Sequence, residues 1–291
     1  MSETKHKKIK AETVYYTAPY KDLFIYYVKG HLPYNTLPSG ADFIGNWEED
    51  EFSFLFFAGP SDLIVENLLN KLPGLKLIDK YNMTYEDWHG GKITSFHAGR
   101  FLITPPWEDE PQGKESPENL HIRLDPGVVF GTGTHPTTND CLEALVSLCY
   151  DEKINTVLDL GTGTGLLAIA AAKLQCGFTL AVDFNFLAAR TALNNVKRNG
   201  LEKNIIVVHG RAEELLDKPA DLMISNIHYD VMKNLINAKG FLNSRFFILS
   251  GLLRSEADNV TNQLNRLPVK ILNTWERDGI WHTFLGKTNN T

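Results

Sequence analysis

The 291-residue sequence has no long apolar run and no recognisable export signal. Its longest apolar stretches, such as Phe52 to Ala58 and Leu166 to Ala172, fall far short of the roughly 20 residues that a transmembrane helix needs. The basic opening MSETKHKKIK is not followed by an apolar segment, which argues against secretion. These absences predict a globular cytoplasmic protein, long enough for about two domains.

Cysteine and positive charge are also scarce. The three cysteines, Cys141, Cys149 and Cys176, form no CxxC pair. Two of them occupy apolar positions of a predicted helix, so we expect all three to be reduced and structural. Lys and Arg total 29 against 35 Asp and Glu, a net charge of -6, and no long basic stripe is present. Stable nucleic-acid binding is therefore not expected, whereas a mildly acidic protein suits a basic protein partner.

The first hundred residues have the pattern of a small α+β domain. Phe24 to Val28 and Phe52 to Phe57 are rich in aromatic and β-branched residues, as strands are. Leu63 to Leu72 carries apolar residues at helical spacing, and Leu75 to Ile78 predicts another strand. We therefore predict a ferredoxin-like domain over residues 1–105.

A charged segment rich in turn residues, 106–120, is expected to link it to a second domain over residues 121–291. There, short apolar runs alternate with helical stretches, which indicates an α/β fold with a parallel sheet covered on both faces. The last two runs flank ERDGI without room for a helix, so they predict a terminal antiparallel hairpin. The predicted strands are Thr156 to Leu160, Leu180 to Val182, Ile205 to Val208, Leu222 to Ile224, Phe246 to Leu249, Lys270 to Trp275 and Trp281 to Leu285.

VLDLGTGTG, residues 157–165, places a glycine turn between a strand and a helix. That order suits a nucleotide site, because glycine lets the backbone approach a ligand and the helix start offers free N–H groups. Leu166 replaces the third glycine of a dinucleotide fingerprint. Asp183 lies 22 positions after Gly161, where an acid accepts hydrogen bonds from ribose hydroxyls. We predict S-adenosylmethionine binding by Gly161, Gly163 and Asp183, the alternative being a purely structural turn.

Asn226 ends the fourth strand of the parallel sheet, at the edge where doubly wound folds bind ligands. Its amide offers a donor and an acceptor, so we predict that it positions a cofactor or an incoming amine. The alternative is an asparagine that only caps the following helix. Tyr229 completes the Asn-x-x-Tyr spacing of enzymes that methylate amino groups, although a surface turn tyrosine fits equally.

A second GTGT run lies within LDPGVVFGTGTHPTTNDCL, residues 124–142. It follows no clear strand, which argues against a second phosphate loop. Pro136 suits the first position of a helix, and His135 before it is expected to be non-helical. We predict an ordered loop that closes over a ligand, with a tight interdomain turn as the alternative.

The same run carries a family resemblance. Asp125 to Thr138 is similar to the signature DPGxxFGTGTHPTT of the PrmA family, methyltransferases that modify ribosomal large-subunit protein eleven. The resemblance implies a class I methyltransferase domain, with a doubly wound, mostly parallel seven-stranded sheet, behind a domain that recognises the protein substrate. It covers the chain from about Thr84 onward, through PPWE at Pro105, VLDLGTGTG at Val157, VDF at Val182, SNI at Ser225 and LSGLL at Leu249.

The resemblance also implies residue roles and a substrate. S-adenosylmethionine would contact Thr138, Gly161, Asp183 and Asn226, and the loop from Phe130 to His135, with Gly131 and Thr132, would lie over cofactor and target amine. The implied reaction methylates lysine side chains and an α-amino group of a ribosomal protein. Many members have a small residue and proline after this asparagine, where the present chain has His228 and Tyr229. Another protein lysine, such as one on an electron-transfer flavoprotein subunit, therefore stays open as the target.

Such a reaction needs a neutral amine, whereas free lysine has a pKa near 10.4. A water-poor pocket lowers that pKa by disfavouring the charged amine. The neutral amine can then attack the methyl group directly, so we expect neither a metal ion nor a covalent nucleophile. His135 or His228 could accept the proton, although a loop histidine is more often structural. Three other functions stay open: an NAD-linked oxidoreductase, which Leu166 and the terminal hairpin disfavour, a nucleic-acid amino methyltransferase, and a binding protein without turnover.

Overall fold

A computed structural model describes residues 18–109 and 118–289. The N-terminal part forms an antiparallel sheet from β1 (Asp22–Lys29), β2 (Phe43–Glu49), β3 (Phe52–Phe57) and β4 (Lys76–Thr84), in the order β2-β3-β1-β4. Helix α1 (Asp62–Lys71) joins β3 to β4, and the short α2 (Tyr85–Trp88) follows β4. Because β1 lies between β3 and β4, these elements make a split β-α-β unit, as in ferredoxin-like domains. Between β1 and β2 only a 3₁₀ turn occurs, Tyr34–Thr36, where that arrangement has its first helix.

A small three-stranded sheet follows, formed by β5 (Phe96–Ala98), β6 (Phe101–Thr104) and β7 (Leu120–Arg123). Strands β6 and β7 pair in parallel across the predicted linker, of which residues 110–117 lie outside the described part. Their buried side chains, including Phe101 and Ile122, belong to the same core as the helices of the second domain. A boundary at residue 105 would separate two strands that are hydrogen-bonded to each other, so the division into domains stays a prediction.

The central sheet has seven strands in the described part of the chain, in the order β10-β9-β8-β11-β12-β14-β13. Five neighbouring strands pair in parallel, and β14 runs antiparallel to both β12 and β13, so that six strands point one way and β14 the other. The doubly wound sheet and its terminal antiparallel hairpin are therefore confirmed. The strands are β8 (Thr156–Leu160), β9 (Phe178–Asp183), β10 (Ile205–His209), β11 (Ala220–Asn226), β12 (Ser244–Leu253), β13 (Val269–Arg277) and β14 (Trp281–Thr288).

Helices cover both faces of this sheet, and each face has its own core. Successive strand residues alternate between the two, as pleating requires: Val157 lies in one core and Leu158 in the other. These helices begin near the carboxyl edge of the sheet and run back along it. The loops that precede them therefore gather at that edge, where doubly wound folds bind ligands. The helices are α3 (Pro136–Asp151), α4 (Leu166–Lys173), α5 (Phe186–Arg198), α6 (Tyr229–Asn237) and α7 (Arg254–Leu264).

The N-terminal sheet packs against α5 and against the segment that precedes α3. Leu23 and Phe56 of the sheet share a buried cluster with Val128 and Leu187. Gly45 of β2 is required here, because a Cβ at that position would lie 2.5 Å from Leu187 Cδ1. None of the helices in residues 18–109 and 118–289 combines the length and apolar character needed to cross a bilayer.

Candidate functional site

The glycine turn after β8 is closed by backbone hydrogen bonds to the end of β9. The N–H groups of Gly161 and Thr162 donate to the carbonyl of Val182 at 2.8 and 2.9 Å. Gly161 has a φ of +77°, and a Cβ there would lie 2.1 Å from Ile227 Cγ2. Only glycine fits this position, because the residue next to Asn226 packs directly onto the turn.

Asp183 holds the same turn from the neighbouring strand. Its Oδ2 accepts from the Gly163 N–H at 2.9 Å, and its Oδ1 accepts from the Asn185 N–H at 2.8 Å. Burial raises the pKa of this carboxyl, whereas the two backbone donors lower it. An ionised carboxylate has about four acceptor positions, so two are left for a ligand's hydroxyl groups.

A second carboxyl, Asp159, lies beneath the turn and is buried. It accepts a hydrogen bond from the Thr162 hydroxyl at 2.5 Å. Burial raises the pKa of Asp159 to about 6. A backbone N–H bond from Ala168, in the first turn of α4, also reaches this carboxyl. Asp159 therefore ties the glycine turn to the helix that follows it.

The loop with the first GTGT run lies against this turn. The Thr164 hydroxyl donates to the Gly131 carbonyl at 2.6 Å, and a Cβ at Gly163 would lie 2.8 Å from the Phe130 carbonyl oxygen. The Phe130 ring is 71% exposed, with an edge contact to Trp47 of the N-terminal sheet. The two GTGT runs are therefore in direct contact with each other.

Two asparagines, one in α5 and one at its C-cap, hold the start of the signature segment, and sequence reasoning missed both. Asn195 is fully buried: its side chain accepts from the Asp125 N–H at 2.9 Å and donates to the carbonyls of Asp125 and Thr164 at 2.8 and 2.9 Å. Asn199, one helical turn later, makes the equivalent pair of bonds to the Arg123 backbone. The spacing of four in NNVKRN is the only signal in the sequence, and it carries no information about partners 70 residues away.

Thr138 and Asn226 meet at the other side of the turn. The Asn226 Nδ2 and Thr138 Oγ1 atoms are 3.5 Å apart, and Thr138 is buried in the first turn of α3. The interpretation of Asn226 as a simple helix cap is wrong, because His228 is the N-cap residue of α6. The Asn226 carboxamide is thus placed at the carboxyl edge of the sheet beside the glycine turn.

A buried polar network supports this side of the site and was also not predicted. The Ser250 hydroxyl lies 2.5 Å from that of Thr283 and donates to the Thr137 carbonyl at 3.2 Å. Asp140, fully buried, accepts from Arg277 Nε at 2.6 Å and from Thr283 at 3.4 Å. The network ties the first turns of α3 to the terminal hairpin.

The other predicted side chains have structural contacts. His135 is the N-cap of α3: its Nδ1 lies 2.7 Å from the Thr137 hydroxyl, and its ring meets the Trp281 ring edge-on. Partial burial lowers the pKa of His135, which favours the neutral ring. Tyr229 is the first residue of α6 and packs against the core, with Lys233 over its ring.

A cleft of about 270 Å³ opens beside the first GTGT run, where Thr132 and Thr134 face Phe96 and Ile103. At its wall the Thr132 and Thr134 hydroxyls are hydrogen-bonded to each other at 3.0 Å. Across residues 18–109 and 118–289, no group of three or more His, Cys, Asp or Glu side chains is arranged to hold a metal ion.

Comparison with known proteins identifies the family. The family model described as "Ribosomal protein L11 methyltransferase (PrmA)" matches residues 63–289. The chain belongs to the PrmA family. The fold agrees: the central sheet with its terminal hairpin is that of a class I methyltransferase, as in a solved ribosomal protein L11 methylase from Lactobacillus delbrueckii subsp. bulgaricus. That structure has a TM-score of 0.60 and 27% identity, and the alignment covers 68% of this chain and all of that one.

Two PrmA relatives are named ribosomal protein L11 methyltransferase. One from Clostridium botulinum is 37% identical over 191 residues, which is 65% of this chain and 58% of the relative. One from Desulforamulus reducens is 32% identical over 231 residues, 75% of this chain and 72% of the relative. The alignment to the Clostridium protein thus spans less than two thirds of that protein's length.

Proposed function

We propose that this protein transfers methyl groups from S-adenosylmethionine to amino groups of a ribosomal large-subunit protein, the protein L11 for which its relatives are named. The observation that carries the proposal is the hydrogen bond between Thr164 and the Gly131 carbonyl, which holds the family's signature loop against the turn that would bind the cofactor. With a ribosomal substrate, the methyl transfer would take place in the cytoplasm. The basic character of ribosomal proteins suits a chain with a net charge of -6.

The donor set fits a nucleoside cofactor without a diphosphate. Asp183 retains two acceptor positions for a ribose diol, while its other two positions hold Gly163 and Asn185. The N–H groups of Gly161, Thr162, Gly163 and Gly165 already donate within the protein, so few donors of the turn are left for a pyrophosphate. When bound, S-adenosylmethionine supplies a methyl group activated by a sulfonium, and the protein's task is then to place an amine in line with it.

The residues around Asn226 would position that amine. The Asn226 carboxamide oxygen accepts a hydrogen bond from a neutral amine, and the signature loop from Phe130 would exclude water. Exclusion of water favours the uncharged lysine, whose free pKa is near 10.4. We assign Thr138 to the orientation of Asn226, since their polar atoms are 3.5 Å apart.

Proton removal by His135 is not part of the proposal. Its Nδ1 faces the Thr137 hydroxyl and N–H as the helix cap, so a neutral ring carries its hydrogen on Nε2 and has no free basic nitrogen. His228 also caps a helix, with its side chain 77% exposed. Loss of the amine proton to water is therefore our expectation.

To test this, the protein is incubated with labelled S-adenosylmethionine and large ribosomal subunits from a strain that lacks it. Mass spectrometry then identifies the labelled component. Label on lysine or α-amino groups of protein L11 would support the proposal. Label confined to ribosomal RNA, or to an unrelated protein, would overturn the substrate assignment. Tight S-adenosylhomocysteine binding without transfer to any ribosomal component would overturn the enzymatic one in favour of a binding protein.

A further inference from the structure

Cys149 and Cys176 face each other at the amino edge of the central sheet, opposite the candidate site. Their Sγ atoms are 3.4 Å apart, and both thiols are free. Cys149 lies in the last turn of α3, and Cys176 follows α4. The sequence predicts only separate structural thiols, 27 positions apart, so the pair is a product of the fold.

The backbone around Cys176 is fixed on both sides. The N–H groups of Gln175 and Cys176 donate at 3.0 and 3.1 Å to carbonyls in the last turn of α4, with Gln175 at a φ of +63°. This is the Schellman pattern of a helix end. Gly177 then passes so close to the Asn155 carbonyl that a Cβ would lie 2.2 Å from it. The backbone of Cys176 is therefore held in place, whereas Cys149 lies near the end of a helix, where fraying is common.

The two thiols also differ in access and acidity. Both line a surface cleft of about 310 Å³, but Cys149 is only partly buried whereas Cys176 is 4% exposed. Hydrogen bonding from Cys176 lowers the pKa of Cys149, while the same contact and burial raise the pKa of Cys176. Cys149 is thus the thiol that ionises first and meets a reagent first, and Cys176 is its buried neighbour.

We propose that Cys149 and Cys176 form a reversible intramolecular disulfide on reaction with hydrogen peroxide. The Cys149 thiolate attacks one peroxide oxygen, the O–O bond breaks, and Cys149 becomes a sulfenic acid with release of one water. The Cys176 sulfur then attacks Cys149 Sγ, and the hydroxyl leaves with the Cys176 proton as a second water. Two thiols lose two electrons in total, and hydrogen peroxide gains them.

The geometry allows this step with a small rearrangement. The sulfurs must close from 3.4 Å to about 2.05 Å, which is the length of a disulfide bond. The product joins the far ends of α3 and α4, the two helices that begin at the candidate site. It closes residues 149–176 into a covalent loop that contains the glycine turn and restricts the unfolded chain.

The experiment uses the full chain, first reduced and then exposed to hydrogen peroxide. Remaining thiols are alkylated with N-ethylmaleimide in denaturant and counted by intact mass. The reduced protein should carry three adducts, one for each cysteine, and the oxidised protein one, at Cys141. A non-reducing digest should contain the cross-linked peptides of Cys149 and Cys176, and dithiothreitol should restore all three adducts.

Single variants separate the two steps. In Cys176→Ser, Cys149 should stop at the sulfenic acid and be trapped by dimedone, whereas Cys149→Ser should leave Cys176 unreacted. Cys141→Ser is the matched control and should lose both of its thiols. The proposal is overturned if the native protein retains three thiols after peroxide, if a persistent sulfenic acid forms without a disulfide, or if the cross-link joins two chains or includes Cys141.

Discussion

The GTGT of residues 161–164 and the GTGT of residues 131–134 use the same four residues in opposite ways. In the first, both threonines are buried: Thr162 donates to Asp159 and Thr164 donates to the Gly131 carbonyl. In the second, Thr134 is exposed and Thr132 is only partly buried. The threonine hydroxyls of the turn therefore form hydrogen bonds within the protein, whereas those of the loop line the cleft through which a substrate would enter.

The difference follows from what precedes each run. Strand β8 delivers the first run to the carboxyl edge of a parallel sheet, where Val182 and Asp183 of the adjacent strand close it into a turn. The second run follows the segment at Asp125, whose backbone is clamped by the Asn195 side chain. The first run is thus a rigid turn, which under the proposed function would lie beneath the cofactor, and the second is a loop held at a few points. Four substitutions test that distinction.

Asp183→Ala should have the largest effect, because it removes the anchor of the turn and the proposed acceptor of the ribose hydroxyls. Hydrogen bonds to a charged group contribute ~1.5–3 kcal/mol each, so we expect S-adenosylhomocysteine affinity to fall by roughly 100-fold. Isothermal titration calorimetry measures the S-adenosylhomocysteine Kd of the variant and of the unchanged protein. Asp221→Ala is the matched control, since Asp221 accepts from the Asn155 and Thr156 N–H groups at the opposite edge of the sheet. Equal loss of affinity in both variants would contradict the assignment.

Gly163→Ala should come next. A Cβ would lie 2.8 Å from the Phe130 carbonyl oxygen, and the φ of +57° is strained for any residue with a side chain. The left-handed conformation alone costs about 1–2 kcal/mol, and the collision forces the loop away from the turn, so cofactor affinity should drop by about tenfold. Gly200→Ala has a similar φ of +66° with no atom within 4 Å of its Cβ. That control should lose stability but keep its affinity, and the same binding loss in it would refute the steric argument.

Thr164→Val should reduce cofactor affinity less, because it removes only the hydrogen bond between the turn and the loop. It deletes the 2.6 Å bond to the Gly131 carbonyl, which is worth about 1 kcal/mol, so a threefold to fivefold loss of affinity is expected. Hydrogen exchange should accelerate in residues 128–134 and stay unchanged in β8. Thr132→Val, which alters a hydroxyl within the loop only, is the comparison. Unchanged exchange in Thr164→Val would show that the loop is held by other contacts.

Phe130→Ala should leave cofactor affinity unchanged. The ring is 71% exposed and has an edge contact with Trp47, a type of contact worth about 0.5–1.5 kcal/mol. Under the proposed function, kcat/KM for the protein substrate should fall while the S-adenosylhomocysteine Kd stays constant. Phe178→Ala removes a ring that is 43% exposed at the far edge of the sheet and should change neither quantity. A tenfold loss of cofactor affinity in Phe130→Ala would instead place the ring on the cofactor.

Local pattern predicted the parts of this protein that local physics controls. Strand residues 156–160 agree with the prediction in their bounds, and a helix follows the glycine turn as predicted, because a buried apolar strand, a glycine turn and an alanine-rich helix each have a strong signature. Strand β2 was not predicted, since it contains Gly45 and Asn46 and its pattern is irregular. The short strands β5, β6 and β7 were missed because three or four residues are too few to show a period.

The candidate site divides in the same way. Gly161, Gly163 and Asp183 are recognisable because the βαβ unit sets their separation along the chain. The clamp of Asn195 on Asp125 and the pairing of Asp140 with Arg277 join residues 70 and 137 positions apart. Polar side chains of these types occur on any helix surface, and only burial with a specific partner distinguishes them.

The sequence by itself thus determined the sheet, its closing hairpin, the glycine turn and the family signature, because each depends on periodicity or spacing within a short segment. Only the tertiary structure decided that the two GTGT runs touch, that His135 is a helix cap and that Cys149 faces Cys176. Those contacts arise when distant segments are brought together by burial of the two cores, and no single segment carries the position of its partner.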